Sequence, residues 1–329
     1  MKYIKLILLL LIISLTTGCV SYTELNELGI IDMILIDKDN DNYVVTINMI
    51  TPTKDNLEAK NTYQASGENL DKCLNILYLK TTKKISFSHL ELMALSPNLE
   101  QNDYDEIINL FFNRVDSRNS FSTVIIDNSV KLFEYKSKDI NDLININGEE
   151  SGIVFIKQFD EIVKDILETN ISYIPYISID DELTIKGYQS IYEKSRLLSK
   201  EESIGYNFIT NNITQAVLIS NNIGFKLNRS NTMIKVNENK IKIDINNTYQ
   251  IVTNNSAITD NSKIKDIYNE EINKYIDAYV NNNSHKYFYN LIRKFDYEYY
   301  KNNKDIELEF IININSSLIK NSNIKGGKI

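Results

Sequence analysis

The amino-acid sequence predicts an α+β protein of more than one domain, with mixed or antiparallel sheets and packed helices. Three observations lead there. The chain has 329 residues, which at ~150 residues per domain allows about two. Hydrophobic residues make up 43% and charged residues 24%, a globular balance that excludes wholesale disorder. Runs of β-branched residues and stretches of helical periodicity fall in separate blocks, without the regular alternation of a doubly wound sheet.

Taken in order, residues 28–36 and 43–50 are β-branched runs on either side of Asp37-Lys38-Asp39-Asn40-Asp41-Asn42, a pattern that predicts a β-hairpin with an Asx-rich turn. Residues 68–80 repeat apolar side chains at helical spacing, with Cys73 on the face of Leu70, Leu74 and Leu77, where it reads as a small buried hydrophobe. Residues 85–95 predict a strand, and Asp103 is placed to cap a helix carrying Ile107, Ile108, Phe111, Phe112 and Val115. Residues 121–126 predict another strand, and Phe159, Ile162, Val163, Ile166 and Leu167 mark a further helix. Beyond Ile171 the chain turns strand-rich to residue 252, broken by a short helix near Ser199–Ser203, with turns at Gly187, at 221–224 and at 237–239. Two helical segments follow, one from Ile264 to Tyr279 and one from Tyr287 to Tyr299. The alternation of Ile306, Leu308, Phe310, Ile312 and Ile314 closes the chain as a half-buried strand.

The expected organisation is a leader over 1–18, an N-terminal α+β domain over 19–175 and a C-terminal α+β region over 176–329. The last is divisible into a strand-rich 176–252 and a helix–helix–strand 253–329. The leader is the strongest local signal. Lys2 and Lys5 precede an apolar run from Leu6 to Leu15, and Leu15-Thr16-Thr17-Gly18-Cys19 follows. A secretory signal peptide has this layout, and the cysteine after small residues looks like a bacterial lipobox. Cleavage after Gly18 and a diacylglyceryl group on the Cys19 thiol are expected, leaving a folded body tethered to the bilayer.

Composition excludes several classes of function. The net charge is −8, so no basic face for nucleic acid is expected. Two cysteines and two histidines are too few for a disulfide scaffold or a Cys/His zinc module. Asp37, Asp39 and Asp41 have the 1-3-5 spacing of a calcium loop, but Asn42 and Asn48 stand where Gly and Glu are needed, so a solvated turn is expected. His89, in a β-rich stretch, reads as structural, and His285 as solvated. The acidic runs Glu149-Glu150, Asp180-Asp181-Glu182 and Glu201-Glu202 read as surface or helix-first-turn charge. Tyr297, Tyr299 and Tyr300 crowd one helix end as a candidate contact patch. No nucleophile elbow or phosphate loop is present, so neither an enzyme nor a cofactor is expected.

Three blocks carry a resemblance. The first is Cys19-Val-Ser-Tyr-Thr-Glu24-Leu25-Asn26-Glu27-Leu28 followed by Ile36-Asp37-Lys38. The second is Phe87-Ser88-His89-Leu90. The third is Ile185-Lys186-Gly187-Tyr188 through Leu198-Ser199-Lys200-Glu201-Glu202-Ser203-Ile204-Gly205. In content, order and spacing they resemble the Ger(x)C family, the C subunits of spore germinant receptors. Val20, Leu35 and the Trp-free segment 287–300 depart from its usual pattern.

The resemblance implies a non-enzymatic, lipid-anchored subunit on the outer face of the spore inner membrane, assembled with an A subunit and a transporter-like B subunit. It marks Glu24, Leu25, Asn26, Leu28, Asp37, His89, Gly187, Glu201, Glu202 and Gly205 as motif positions beside the lipidated Cys19. The alternative from a different class is an extracytoplasmic solute-binding lipoprotein, which needs a cleft between two doubly wound lobes.

Overall fold

The computed structural model describes residues 27–51, 59–128, 131–192, 195–303 and 307–319. Cys19, Glu24, Leu25 and Asn26, with the whole leader, lie outside the described residues, as does the side chain of His285.

The described residues form two sheets with helices, an α+β architecture as expected. The first sheet is mixed, in the order β3-β2-β1-β5-β6-β7-β8-β9, with β4 pairing to β1 off that path. Strands β1 (Leu28–Asp39) and β2 (Asn42–Thr51) make the expected hairpin. Its tight turn is supplied by Asn40, whose φ of 53° is left-handed, a region asparagine tolerates. A third strand, β3 (Ala59–Gly67), extends the antiparallel edge.

On its other side β1 pairs in parallel with β4 (Lys84–Ser86) and β5 (Leu92–Leu95), so it is interior and buried along most of its length. That explains its nearly unbroken apolar sequence, the mark of a strand covered on both faces. Parallel β6 (Ser122–Ile126) and β7 (Ile171–Ile179) continue the sheet, and antiparallel β8 (Leu183–Tyr192) and β9 (Arg196–Leu197) end it.

Three expectations about this sheet need correction. Residues 85–95 are two strands, not one. The Leu90 N–H donates to the Phe87 carbonyl at 3.1 Å, and this turn buries Phe87 and Leu90 while breaking the ladder. The expected domain boundary at 175/176 falls inside β7, between strands that pair with it on both sides, because the first sheet runs on to Leu197. Gly187 is not a turn but a point inside β8, next to a register shift against β7.

Helices cover both faces of this sheet. Helix α1 (Leu70–Lys80) starts at Asn69, whose side chain accepts the Lys72 N–H. Helix α2 (Gln101–Phe112) is capped at Glu100, one turn earlier than expected; Asp103 is its third residue and accepts the Glu100 N–H at 2.8 Å. These two pack with α4 (Phe159–Thr169) on one face, where Phe87, Phe111, Phe121 and Phe159 meet ring to ring. Cys73 lies in this layer, fully buried, its Sγ 3.5 Å from the Tyr43 carbonyl. Helix α3 (Ser137–Ser151), which the periodicity did not reveal, packs Ile140 and Ile144 into the opposite face.

The second sheet has the order β10-β11-β12-β13. Strands β10 (Ala216–Ser220), β11 (Ile223–Asn237) and β12 (Lys240–Asn254) form an antiparallel meander. The final strand β13 (Glu309–Leu318) lies parallel to β12, which requires a long crossover. Helix α6 (Asn261–Phe295) supplies it as one helix of 35 residues, followed by α7 (Tyr297–Asn302). The two expected helical segments are therefore one. The stretch between them is Asn- and Ser-rich but holds no Gly or Pro, and weak formers do not break a helix that is packed on both sides.

Helix α5 (Lys200–Ile209) sits between the two sheets. Its buried residues join Tyr173 and Tyr188 of the first sheet, Phe225 and Tyr249 of the second, and Tyr268 and Tyr279 of α6 in one continuous core.

Candidate functional site

The third sequence block builds the joint where these parts meet. It begins at Gly187, whose φ of +145° favours glycine and which has no room for a side chain. A Cβ there would lie 2.6 Å from the Leu198 carbonyl oxygen and 2.7 Å from the Ser203 hydroxyl. The backbone of β8 therefore presses directly on the start of α5. Two hydrogen bonds fix the approach: the Leu198 N–H donates to the Tyr188 carbonyl at 2.7 Å, and the Tyr188 N–H donates to Ser203 Oγ at 3.1 Å.

The helix start is a full capping box. Ser199 Oγ accepts the Glu202 N–H at 3.1 Å, and a Glu202 oxygen accepts the Ser199 N–H at 2.7 Å. The other Glu202 oxygen accepts from Arg196 Nη2 at 2.7 Å, which ties β9 to the helix. Burial pushes the Glu202 carboxyl up, but the Arg196 guanidinium, the Ser199 N–H and the Asn282 side chain outweigh it and hold it below the usual range. The charge is thus kept, and through Asn282 it reaches α6. Glu201 is half-buried in the same first turn, where the helix dipole favours an acid.

At Gly205 helix α5 meets α6 backbone to backbone. A Cβ at this position would stand 2.0 Å from the Tyr275 carbonyl oxygen and 3.0 Å from Tyr279 Cβ. One turn of α5 thus carries three contacts: Ser203 to β8, Glu202 to β9, and Gly205 to α6.

Sequence reasoning missed the inner layer of this joint. Asn207 is fully buried, and its Nδ2 donates to the Gly152 and Ile153 carbonyls at 2.8 and 2.9 Å. Its Oδ1 accepts from the Tyr188 hydroxyl at 3.0 Å, and that hydroxyl accepts the Phe155 N–H at 2.8 Å. No local pattern distinguishes this asparagine from its many surface counterparts. Around it Tyr173, Tyr188, Tyr206 and Tyr279 pack ring against ring, and the Tyr279 hydroxyl donates to that of Tyr173 at 3.1 Å. Burial raises the pKa of all four, so they stay neutral.

The remaining predicted positions lie apart from the joint. Leu28 opens β1, half-buried. Asp37, near the other end of that strand, accepts the Lys38 N–H at 2.7 Å, and Asp39 accepts from the Asn40 side chain at 3.0 Å. Among the described residues no group of three or more His, Cys, Asp or Glu could hold a metal ion. His89 is exposed on the turn between β4 and β5, not in a strand. It borders an open hollow with Arg118, Lys138 and Glu91, in which Glu91 accepts from the Ser137 hydroxyl at 2.6 Å. In the first sheet Asp32 is buried at a bulge of β1, where Asn48 donates to it at 2.8 Å; burial raises its carboxyl pKa against the pull of Lys60 and Asn48. The aromatic patch is partly displayed, with Tyr297 58% exposed on α7. No helix among the described residues is long and apolar enough to cross a membrane.

What this geometry provides is mechanical: a charged, hydrogen-bonded joint that locks α5 to β8 and to α6. Residues 21–179 match the family model described as the spore germination protein N-terminal domain. The chain is 23% identical over 207 residues to spore germination protein KC of Bacillus subtilis (strain 168), an alignment covering 55% of this chain and 50% of that protein. The match thus spans about half the length of that relative. The fold is similar to the crystal structure of the GerBC protein, with a TM-score of 0.55 and 16% identity over 87% of this chain and 97% of that one.

Proposed function

Since the chain belongs to the Ger(x)C family of spore germination proteins, we propose that it is the lipid-anchored C subunit of a nutrient germinant receptor. It acts there by assembly and coupling with membrane-embedded A and B subunits and carries out no chemistry of its own. The observation that carries the reading is the joint at Gly187–Gly205. The residues that resemble the family most closely in the second half of the chain are those that lock its parts together. A rigid connector suits a subunit that transmits or holds geometry between partners.

Anchoring belongs to the same proposal. Two acyl chains on Cys19 give stable attachment where one gives only reversible binding. A body held at the bilayer has a high effective concentration next to membrane-embedded partners, which favours assembly. The domain division follows the sheets, an N-terminal lobe ending after Leu197 and a C-terminal lobe built on α5, the second sheet and α6. The solute-binding alternative calls for two doubly wound lobes, whereas the described residues build one large mixed sheet and one small sheet.

The test is deletion of the gene, with dipicolinate release followed for each nutrient. Loss of the response to one class of germinant, with normal sporulation and growth, is expected. Spores that germinate normally on every nutrient while cells fail to grow on one solute would establish the transporter reading instead.

A further inference from the structure

A cleft of about 370 Å³ opens between α4, the start of β7, α5 and the last third of α6, within the range of about 300–1,000 Å³ usual for small-molecule sites. A smaller hollow of about 120 Å³ shares its Lys157, Tyr173, Tyr206 and Asn212, so the space continues inward along the tyrosine cluster. Its floor is Tyr206, only 5% exposed, with the Tyr287 ring set at 75° and 6.5 Å from it.

The charges around this cleft do not cancel. Asp165 is committed, its Oδ2 accepting from Lys157 at 2.8 Å and from the Ser172 hydroxyl at 3.0 Å. Glu168 is paired with Lys294 at 3.2 Å. Lys164, the third lysine on the rim, pairs with nothing among the described residues. The hydroxyls of Tyr206 and Tyr287 likewise have no hydrogen-bond partner among the described residues. Burial, with Asp165 as the next contribution, raises the pKa of both, so each keeps its proton and can donate. One ammonium and two O–H groups therefore face a single cleft with no acceptor assigned to them. Lys164 is exposed on the rim and neither hydroxyl is sealed from solvent, so water serves all three when the cleft is empty and a carboxylate can take its place.

We propose that this cleft binds a small organic monocarboxylate, its carboxylate held by Lys164 and the Tyr206 and Tyr287 hydroxyls and its apolar body against the tyrosine rings. A single unpaired lysine beside the Asp165 carboxylate suits one negative charge. A phosphate dianion would meet that carboxylate with only one cation to offset it. The inference goes beyond the receptor reading and concerns the isolated chain, so it stands or falls independently of any partner.

The test uses the full chain in a neutral detergent and reads the ¹⁹F line width of 4-fluorobenzoate as probe. Detergent micelles without protein give the background for probe dissolved in detergent. Broadening by the wild type is expected, with affinity about tenfold or more lower in Lys164→Gln, the loss of a charge-assisted hydrogen bond. Tyr206→Phe keeps the ring and should weaken binding several-fold with an unchanged melting curve. Lys138→Gln, in the separate hollow near His89, should bind as the wild type does. The cation 4-fluorobenzylamine should not bind. The proposal is overturned if Lys164→Gln matches the wild type, if the amine binds as well as the acid, or if inorganic phosphate displaces the probe at equal concentration.

Discussion

Replacing Gly205 by alanine sets two physical effects of opposite sign against each other. In an isolated helix the change is favourable by about 1 kcal/mol, since alanine is the better helix former. In this protein the new Cβ would lie 2.0 Å from the Tyr275 carbonyl oxygen, and real Cβ atoms essentially never approach closer than 3.0 Å. The obstacle is backbone, not the free end of a flexible side chain, so α5 and α6 must separate by about 1 Å. A gap of that size forfeits a quarter to a half of the dispersion energy of each contact it opens. The contacts at stake include Tyr206 against Tyr279, with centroids 5.6 Å apart. Overpacking of this kind costs about 1–3 kcal/mol and occasionally more. With a backbone obstacle the upper part of that range applies, and the helix gain offsets only a third of it. Gly205→Ala should therefore lower the unfolding free energy by about 2 kcal/mol. Urea denaturation of the full chain in mild detergent, followed by circular dichroism, measures it. Asn273→Ala, on the exposed side of α6, is the control and should be neutral or slightly stabilising. A Gly205→Ala protein as stable as the wild type, or more so, would refute the close approach of the two helices.

Three further outcomes are expected. Because the Glu202 carboxyl is held below its ordinary pKa, it adds stability that is present above its unfolded value of about 4.3 and lost as pH falls through the folded one. Glu202→Gln should thus be less stable than the wild type by roughly 1–2 kcal/mol at pH 7 and should converge with it on acidification; an equal gap at pH 7 and pH 3 in urea titrations would contradict the Arg196 pairing. Asn207→Ala removes the side-chain donor to two backbone carbonyls and the acceptor of the Tyr188 O–H, and a loss of about 3 kcal/mol is expected in the same denaturation assay, against near-zero loss if water replaces the amide. Cys19→Ala should remove all incorporation of a clickable fatty acid, since no other residue offers a thiol at the expected cleavage site; label retained in that variant would end the lipoprotein reading.

Much of the architecture is written in local patterns. The hairpin of β1 and β2 follows from two β-branched runs around an Asn-rich turn. The start of α5 follows from Ser199 and Glu202, a capping box that works through neighbouring backbone groups and so needs no distant partner. The closing alternation identifies β13, and the amphipathic spacing identifies α1, α2 and α4. In each case the determining interactions lie within a few residues, where sequence and structure are nearly the same statement.

What the tertiary structure decided depends on contacts between distant segments. That β1 is interior rather than an edge follows from β5 pairing beside it, and that β13 runs parallel to β12 follows from the length of α6 between them. The fusion of two helical segments into α6 is set by packing of the residues before and after its Asn-rich middle, from Ile264 to Val280 and from Tyr287 onward, which outweighs the weak propensities between them. Gly187 and Gly205 stand out as motif positions in the sequence, but only folding shows that each marks a place where another backbone touches. Asn207 carries no local signal at all, because what makes it special is its burial, and burial is created by the fold and not by the residue.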